Sequence, residues 1–310
     1  MMNRREALAA LASTAALPLM QGCAEKPASS SVATPTAAAS TAEADALKLL
    51  DSIGENYVQF APDTATSLGV DTGARAALRS QLTDRSADAQ KKIADRVKQD
   101  LDRAKAIETS GLTHATRTSV EVVRSAYSTA LEGFALPYGD ITVGSWRNTP
   151  YVVIQNVGAY LDIPRFLDSD HPIENASDAE AYLSRLQSYA KQLDGELERI
   201  QAARGKGLVP PTFLIDKALS QIRVSAKNAH AGGSVVESIV RRTKNIPGDW
   251  DNRARAIAMQ EIAPALDRQI AELEAQRKVA KDEAGMWARP NGDEFYRWAL
   301  KASTTTSMTP

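Results

Sequence analysis

The sequence predicts a mostly α-helical protein: a multi-helix, bundle-like scaffold with one long irregular segment over about residues 133–175. Three observations carry this. Apolar residues recur at intervals of three and four through several long stretches, which places them on one face of a helix. Gly and Pro gather between those stretches, where chain reversals need them. Only two short runs, Ile141-Thr142-Val143 and Tyr151-Val152-Val153-Ile154, have the β-branched and aromatic character of strands.

Taken in order, the chain begins with Met1-Met2-Asn3-Arg4-Arg5-Glu6, then runs uncharged from Ala7 to Ala24. That run is rich in Ala and Leu, broken by Pro18, and short of the ~20 apolar residues that span a bilayer. A basic start, an apolar middle and small residues at the end make residues 1–22 a secretory signal. The Arg4-Arg5 pair is similar to a twin-arginine export signal. Leu19-Met20-Gln21-Gly22-Cys23 is similar to a lipobox, which makes Cys23 the expected lipid attachment site and the envelope, periplasmic and lipid-anchored, the expected location. The competing reading is an ordinary N-terminal helix with a buried cysteine. Cys23 is the single cysteine, so an intrachain disulfide or thiolate metal cluster is excluded. Residues 23–42 are mostly Ala, Ser, Thr and Pro, with too little apolar bulk to offset ordering entropy, and read as a flexible tether.

From Glu43 to residue 310 the chain reads as one helical domain. Helices are expected over Glu43–Phe60, over Asp88–Ile107 (Ile93, Val97, Leu101 and Ala104 inward) and over His114–Leu131 (Val120, Val123, Tyr127 and Leu131 inward). Ser177-Asp178-Ala179-Glu180 has the form of a capping box. It opens a helix with Tyr182, Leu186, Tyr189, Leu193, Leu197 and Ile200 on its apolar face and Lys191, Glu196, Glu198 and Arg199 toward solvent. Gly205, Gly207 and Pro210-Pro211 end it. Thr212–Lys227 is a further helix. A last long one spans roughly Asp251–Glu283, with Ile257, Ile262, Leu266, Ile270 and Leu273 inward and a kink at Pro264. The stretch from Gly133 to Asn175 lacks helical period and reads as ordered loop with a little extended structure. Long loops inside helical bodies often carry function, and packing between helices is the alternative.

Chemistry is sparse. The formal charge of −1 becomes −2 if the net +1 of Arg4, Arg5 and Glu6 is removed with the signal, and the charges are mixed, so no nucleic-acid surface is expected. His114, His171 and His230 are far apart and fit no zinc-ligand spacing. No nucleophile elbow or phosphate-binding loop is present. Thr304-Thr305-Thr306 has no activating base nearby and reads as β-prone or capping. Thr309-Pro310 reads as the N-cap and first residue of a further helix.

Several blocks resemble a bacterial family, the domain of unknown function 885 family. They are Arg147-Asn148-Thr149-Pro150-Tyr151-Val152-Val153-Ile154-Gln155-Asn156-Val157-Gly158-Ala159-Tyr160, then Ile163-Pro164-Arg165-Phe166-Leu167, His171-Pro172-Ile173 and Asp178 to Leu186. Pro210-Pro211-Thr212-Phe213, Pro264-Ala265-Leu266 and Pro290 to Leu300 leading into Thr304-Thr305-Thr306 complete the pattern. The resemblance covers the chain from about residue 45 onward. It implies an exported lipoprotein resembling a helical zinc peptidase, whose His-Glu zinc signature lies in a C-terminal half. On that resemblance the chain is an incomplete zincin-like helical domain. It has no catalytic or metal-binding residue of its own, zinc belongs only to a full-length member, and the chain is inactive as given. The segment present would then wall a peptide cleft, with Tyr151, Gln155 and Asn156 as the candidate substrate contacts, an extended segment being able to pair with a peptide backbone. The bland reading of Gln155 and Asn156 is that they satisfy loop backbone groups. Expected partners are the membrane, through Cys23, and a peptide substrate in the full-length protein. The alternative function is a self-sufficient, non-catalytic helical lipoprotein that binds a ligand or a protein partner.

Overall fold

The computed structural model describes residues 37–143 and 148–308, with side chains described from Thr41. The expected signal with Arg4 and Arg5, the lipid site Cys23, most of the tether, Arg147 and Thr309-Pro310 lie outside these residues. Among the described residues there are eleven α-helices and no strand. None of these helices is long and apolar enough to cross a membrane.

α1 (Ala37–Phe60), α3 (Ala87–Lys105) and α4 (His114–Phe134) share an apolar seam of Leu49, Ile53, Val97, Leu101, Ala104 and Tyr127. α1 begins at Ala37, inside the stretch read as tether. Ser86 caps α3 by accepting from the Ala89 N–H at 3.1 Å, and Thr113 caps α4 by accepting from the Thr116 N–H at 3.3 Å. Between α1 and α3, the short α2 (Pro62–Ser67) and a 3₁₀ turn (Gly73–Ser80) fold back toward the centre.

The centre is α6 (Ala176–Gly205), the longest helix. Tyr182, Leu186, Tyr189, Leu193 and Ile200 are buried as the spacing predicts. α7 (Thr212–His230), α8 (Gly233–Arg242), α9 (Trp250–Ile257) and α10 (Ala263–Arg277) join it in the largest apolar cluster. Each fully buried Leu or Ile in that cluster contributes about 1.5–3 kcal/mol. Because neighbours cover α6 on more than one side, its polar residues are buried too. Glu196, expected toward solvent, is 1% exposed, and the Arg199 side chain is 9% exposed. Lys191 and Glu198 are exposed.

Further boundaries differ from expectation. The N-cap of α6 is Asn175, not Ser177: the Asn175 Oδ1 accepts from the Asp178 N–H at 3.1 Å, and the Asp178 carboxylate accepts from the Glu174 N–H at 3.0 Å. The cap thus lies two residues upstream of the expected one, and the Asp178 carboxylate reaches the N–H of the residue before the cap, not that of the cap itself as a capping box would. The long C-terminal helix ends at Arg277, and Pro264 is met by a π-helical turn over Ala258–Ile262. Such a turn absorbs the hydrogen bond that proline cannot donate. Finally, the segment read as irregular contains α5 (Ala159–Ser169), with Pro164 inside it. Burial of Tyr160, Ile163, Phe166 and Leu167 outweighs the proline penalty of about 3 kcal/mol. Among the described residues the β-prone runs form no strand, and the segment makes only the isolated bridges Asp140–Thr149 and Ile154–Val157. α11 (Gly292–Thr304) closes the described chain against α4. The Trp298 indole N–H donates to the Thr129 carbonyl at 2.7 Å, and Lys301 pairs with Glu132 at 2.8 Å.

Candidate functional site

The irregular stretch between α4 and α5 is held by groups reaching in from distant helices. Arg199 of α6 donates to the Gly139 carbonyl at 2.9 Å and to the Asp140 carboxylate at 2.8 Å. Asp140 and Thr149 then exchange backbone hydrogen bonds of 2.8 and 3.3 Å. Gly139 has φ of +121°, and a Cβ there would lie 2.8 Å from the Phe295 ring, so both backbone and space require glycine. Further on, Ile154 and Val157 pair across a two-residue turn formed by Gln155 and Asn156.

Glu196 fixes where the stretch becomes α5. Its two carboxylate oxygens accept from the Ala159 N–H at 2.8 and 2.9 Å, and Oε1 also accepts from Arg85 at 2.8 Å. A carboxylate at a helix N-terminus satisfies backbone donors and complements the helix dipole. Burial pushes the Glu196 carboxyl up, and Arg85 opposes it. Burial likewise works against the Arg85 charge, but Glu196 and then Asp162 more than offset it and raise the guanidinium pKa.

The three candidate contacts stand in different surroundings. Tyr151 is 7% exposed and packs in a small cluster with Tyr138, Ile141, Ile154, Phe295 and Trp298. Its hydroxyl accepts from the Arg289 Nε at 3.0 Å. The Tyr138 hydroxyl donates to the Pro290 carbonyl. Burial pushes Tyr138 up to about 12 and raises Tyr151, with Arg289 opposing the latter. Both phenols therefore stay protonated at neutral pH and act as hydrogen-bonding groups, not as bases. Gln155 is half-buried, and its Oε1 is enclosed without a hydrogen-bond partner; Asn156 is exposed.

A second polar centre clamps the Pro62–Gln81 region onto α6. Arg185 is fully buried. Its guanidinium donates to the Gln81 carbonyl at 2.8 Å, His171 Nδ1 at 2.6 Å, Thr66 Oγ1 at 2.6 Å and the Leu78 carbonyl at 3.1 Å. It also lies over the Phe166 ring, 4.8 Å from the centroid. Since Arg185 can only donate, His171 Nδ1 accepts, and its Nε2 carries the proton donated to the Asp178 carbonyl at 3.0 Å. Burial lowers the His171 pKa to about 4; the Asp178 carbonyl bond opposes this, while Arg185 and Arg242 add to it.

The other histidines are apart from this centre. His114 is exposed in the first turn of α4, and His230, at the end of α7, meets Asp267 at 3.0 Å. Among the described residues, no group of three or more His, Cys, Asp or Glu is placed to hold a metal ion. Thr304 ends α11 and Thr305 is its left-handed cap, so that run caps a helix. The chemistry on display is positioning: buried charges hold loops and helix starts in place. Sequence periodicity missed Arg85, Arg185, Glu196 and Arg289. The usable signal was a polar residue next to an inward apolar one: Arg185 and Gln192 each stand directly beside Leu186 and Leu193 on α6.

A family model described as "Bacterial protein of unknown function (DUF885)" matches residues 62–310. The chain belongs to the DUF885 family. Its fold is similar to that of a crystal structure described as "the putative lipoprotein from Colwellia psychrerythraea", with a TM-score of 0.76 and 17% identity. The match covers 89% of this DUF885 chain and 48% of that one, so the chain spans about half the length of the solved protein. Likeness at this identity shows the helical fold alone. Among curated proteins, none matches this DUF885 sequence.

Proposed function

We propose that this chain is the N-terminal helical scaffold of an exported, lipid-anchored protein resembling a zinc-dependent peptidase, and that the zinc-binding residues belong to a second half. One observation carries the reading: nearly all of this chain superimposes on about half of a longer helical protein, itself described as a lipoprotein. Family membership and the lipobox-like Leu19–Cys23 run support it. In such an enzyme the metal polarises the scissile carbonyl and activates water. The residues here hold the cleft wall: Glu196 and Arg199 fix the 139–159 stretch, and Gln155 and Asn156 present its turn toward a peptide.

The test uses the chain alone and together with the C-terminal half of a full-length family member. Alone, it is expected to bind no stoichiometric zinc and to cleave no peptide. Mixed or co-expressed, the halves are expected to co-purify with one zinc and gain peptidase activity. A tightly held zinc on the isolated chain, or failure of the halves to associate, refutes the scaffold reading. For the anchor, Cys23→Ala is expected to abolish acylation and release the protein from membranes; retention would refute it.

A further inference from the structure

We propose a second binding site, for a free carboxylate carried on an apolar body, in the cavity between the end of α6 and the α10–α11 connection. This cavity of about 510 Å³ is lined by Arg204, Val209, Val279, Lys281, Trp287 and Arg289, among others. Its charges do not cancel. Arg204 is matched by Glu272 through two hydrogen bonds of 2.7 and 3.0 Å. Arg289 has no such match. It is 8% exposed, yet its hydrogen bonds go to the Tyr151 hydroxyl and the Glu283 carbonyl, both neutral acceptors. Its Nη1 makes no hydrogen bond, and no carboxylate lies within ion-pair distance among the described residues.

A guanidinium taken out of water normally brings a counter-charge, because desolvating it alone is costly. Lys281 adds a second cation, without a carboxylate partner among the described residues. Its backbone is fixed, since its carbonyl accepts from the Thr212 N–H at 3.0 Å. Asp282 and Glu283 follow it but do not line the cavity, and Asp282 acts on Arg277 instead. The remaining wall is apolar: Val209, Val279, Pro290 and the Trp287 indole, which is 77% exposed. Exposed tryptophan beside an open donor pair is the pattern of a small-ligand site, with an apolar surface for the body and a few polar groups for orientation. The free Nη1 of Arg289 can give one charge-assisted hydrogen bond to a carboxylate, and the Lys281 ammonium can give a second. The site goes beyond the peptidase-like reading and stands whether or not that reading holds.

The experiment compares N-acetyl-leucine, N-acetyl-leucinamide and inorganic phosphate as probes, following the Trp287 indole resonance by NMR on the full chain. The free acid is expected to shift that resonance saturably and to bind at least about tenfold tighter than the amide, the value of one charge-assisted contact. Lys281→Gln is expected to weaken the acid about threefold without changing the amide. Arg289→Gln would also loosen Tyr151, so Lys281→Gln, at an exposed position, carries the test, with circular dichroism confirming the fold. Equal binding of acid and amide, no saturable shift, or tighter binding of phosphate than of the acid overturns the proposal.

Discussion

Acidification singles out His171. Unfolded, this imidazole takes up a proton near pH 6.5; folded, it resists until about pH 4. Burial is the main cause, and Arg185, whose Nη1 donates to Nδ1 at 2.6 Å, would face a second cation if the ring were charged. The folded pKa lies below the unfolded one, so the unfolded chain gains the proton first. Stability is untouched above pH 6.5, falls as pH drops toward 4, and levels off below it. At ~1.4 kcal/mol per pH unit, the full loss is about 3 kcal/mol, a large share of the 5–15 kcal/mol typical of a folded domain. The assay is urea unfolding followed by circular dichroism at pH 7, 6, 5 and 4, for the wild type and His171→Gln. The substitution has its own cost at pH 7, but it removes the titration, so other carboxylates cancel in the difference. The wild-type advantage at pH 7 is expected to shrink by about 3 kcal/mol at pH 4. A difference constant within about 0.5 kcal/mol, or an NMR titration placing His171 near 6.5, would refute the reasoning.

Three further outcomes are expected from denaturant melts. Arg185→Met strips donors from the Gln81 and Leu78 carbonyls and from His171 Nδ1, and is expected to cost about 3–5 kcal/mol; a loss below about 1 kcal/mol would show the clamp to be dispensable. Gly133→Ala places a Cβ 2.2 Å from the Trp298 ring, which its bond to Thr129 holds in place, so a loss of about 1–3 kcal/mol is expected; an unchanged midpoint would contradict that packing. Asn175→Ala removes the α6 cap and is expected to cost ~1 kcal/mol, whereas Ser177→Ala should stay within about 0.5 kcal/mol. The reverse order would restore Ser177 as the cap.

Much of the helical scaffold was legible in the sequence because apolar spacing is a local record of burial. The inward residues of α3, α4, α6 and α10 stand where periodicity puts them, as Val97, Val120, Leu186 and Leu266 show. Periodicity failed where a second surface competes. Glu196 lies on the face assigned to solvent, yet α5 starts directly above it and its carboxylate serves the Ala159 N–H. α5 itself was hidden by Pro164, whose local cost is visible in sequence while the compensating burial of Tyr160 and Leu167 is not. The candidate contacts divide in the same way. That Tyr151, Gln155 and Asn156 share an irregular stretch is a matter of composition. That Tyr151 turns inward to Arg289, 138 residues later, is decided by long-range packing.

By itself, the sequence determined the class of fold and the family resemblance, since both depend on residue types and short spacings. Only the tertiary structure decided which charges are buried. Arg85, Arg185, Glu196 and Arg289 read like ordinary surface residues along the chain. They become fixed points because helices far apart in sequence close over them, and a charge withdrawn from water holds its partners far more strongly than one left in it.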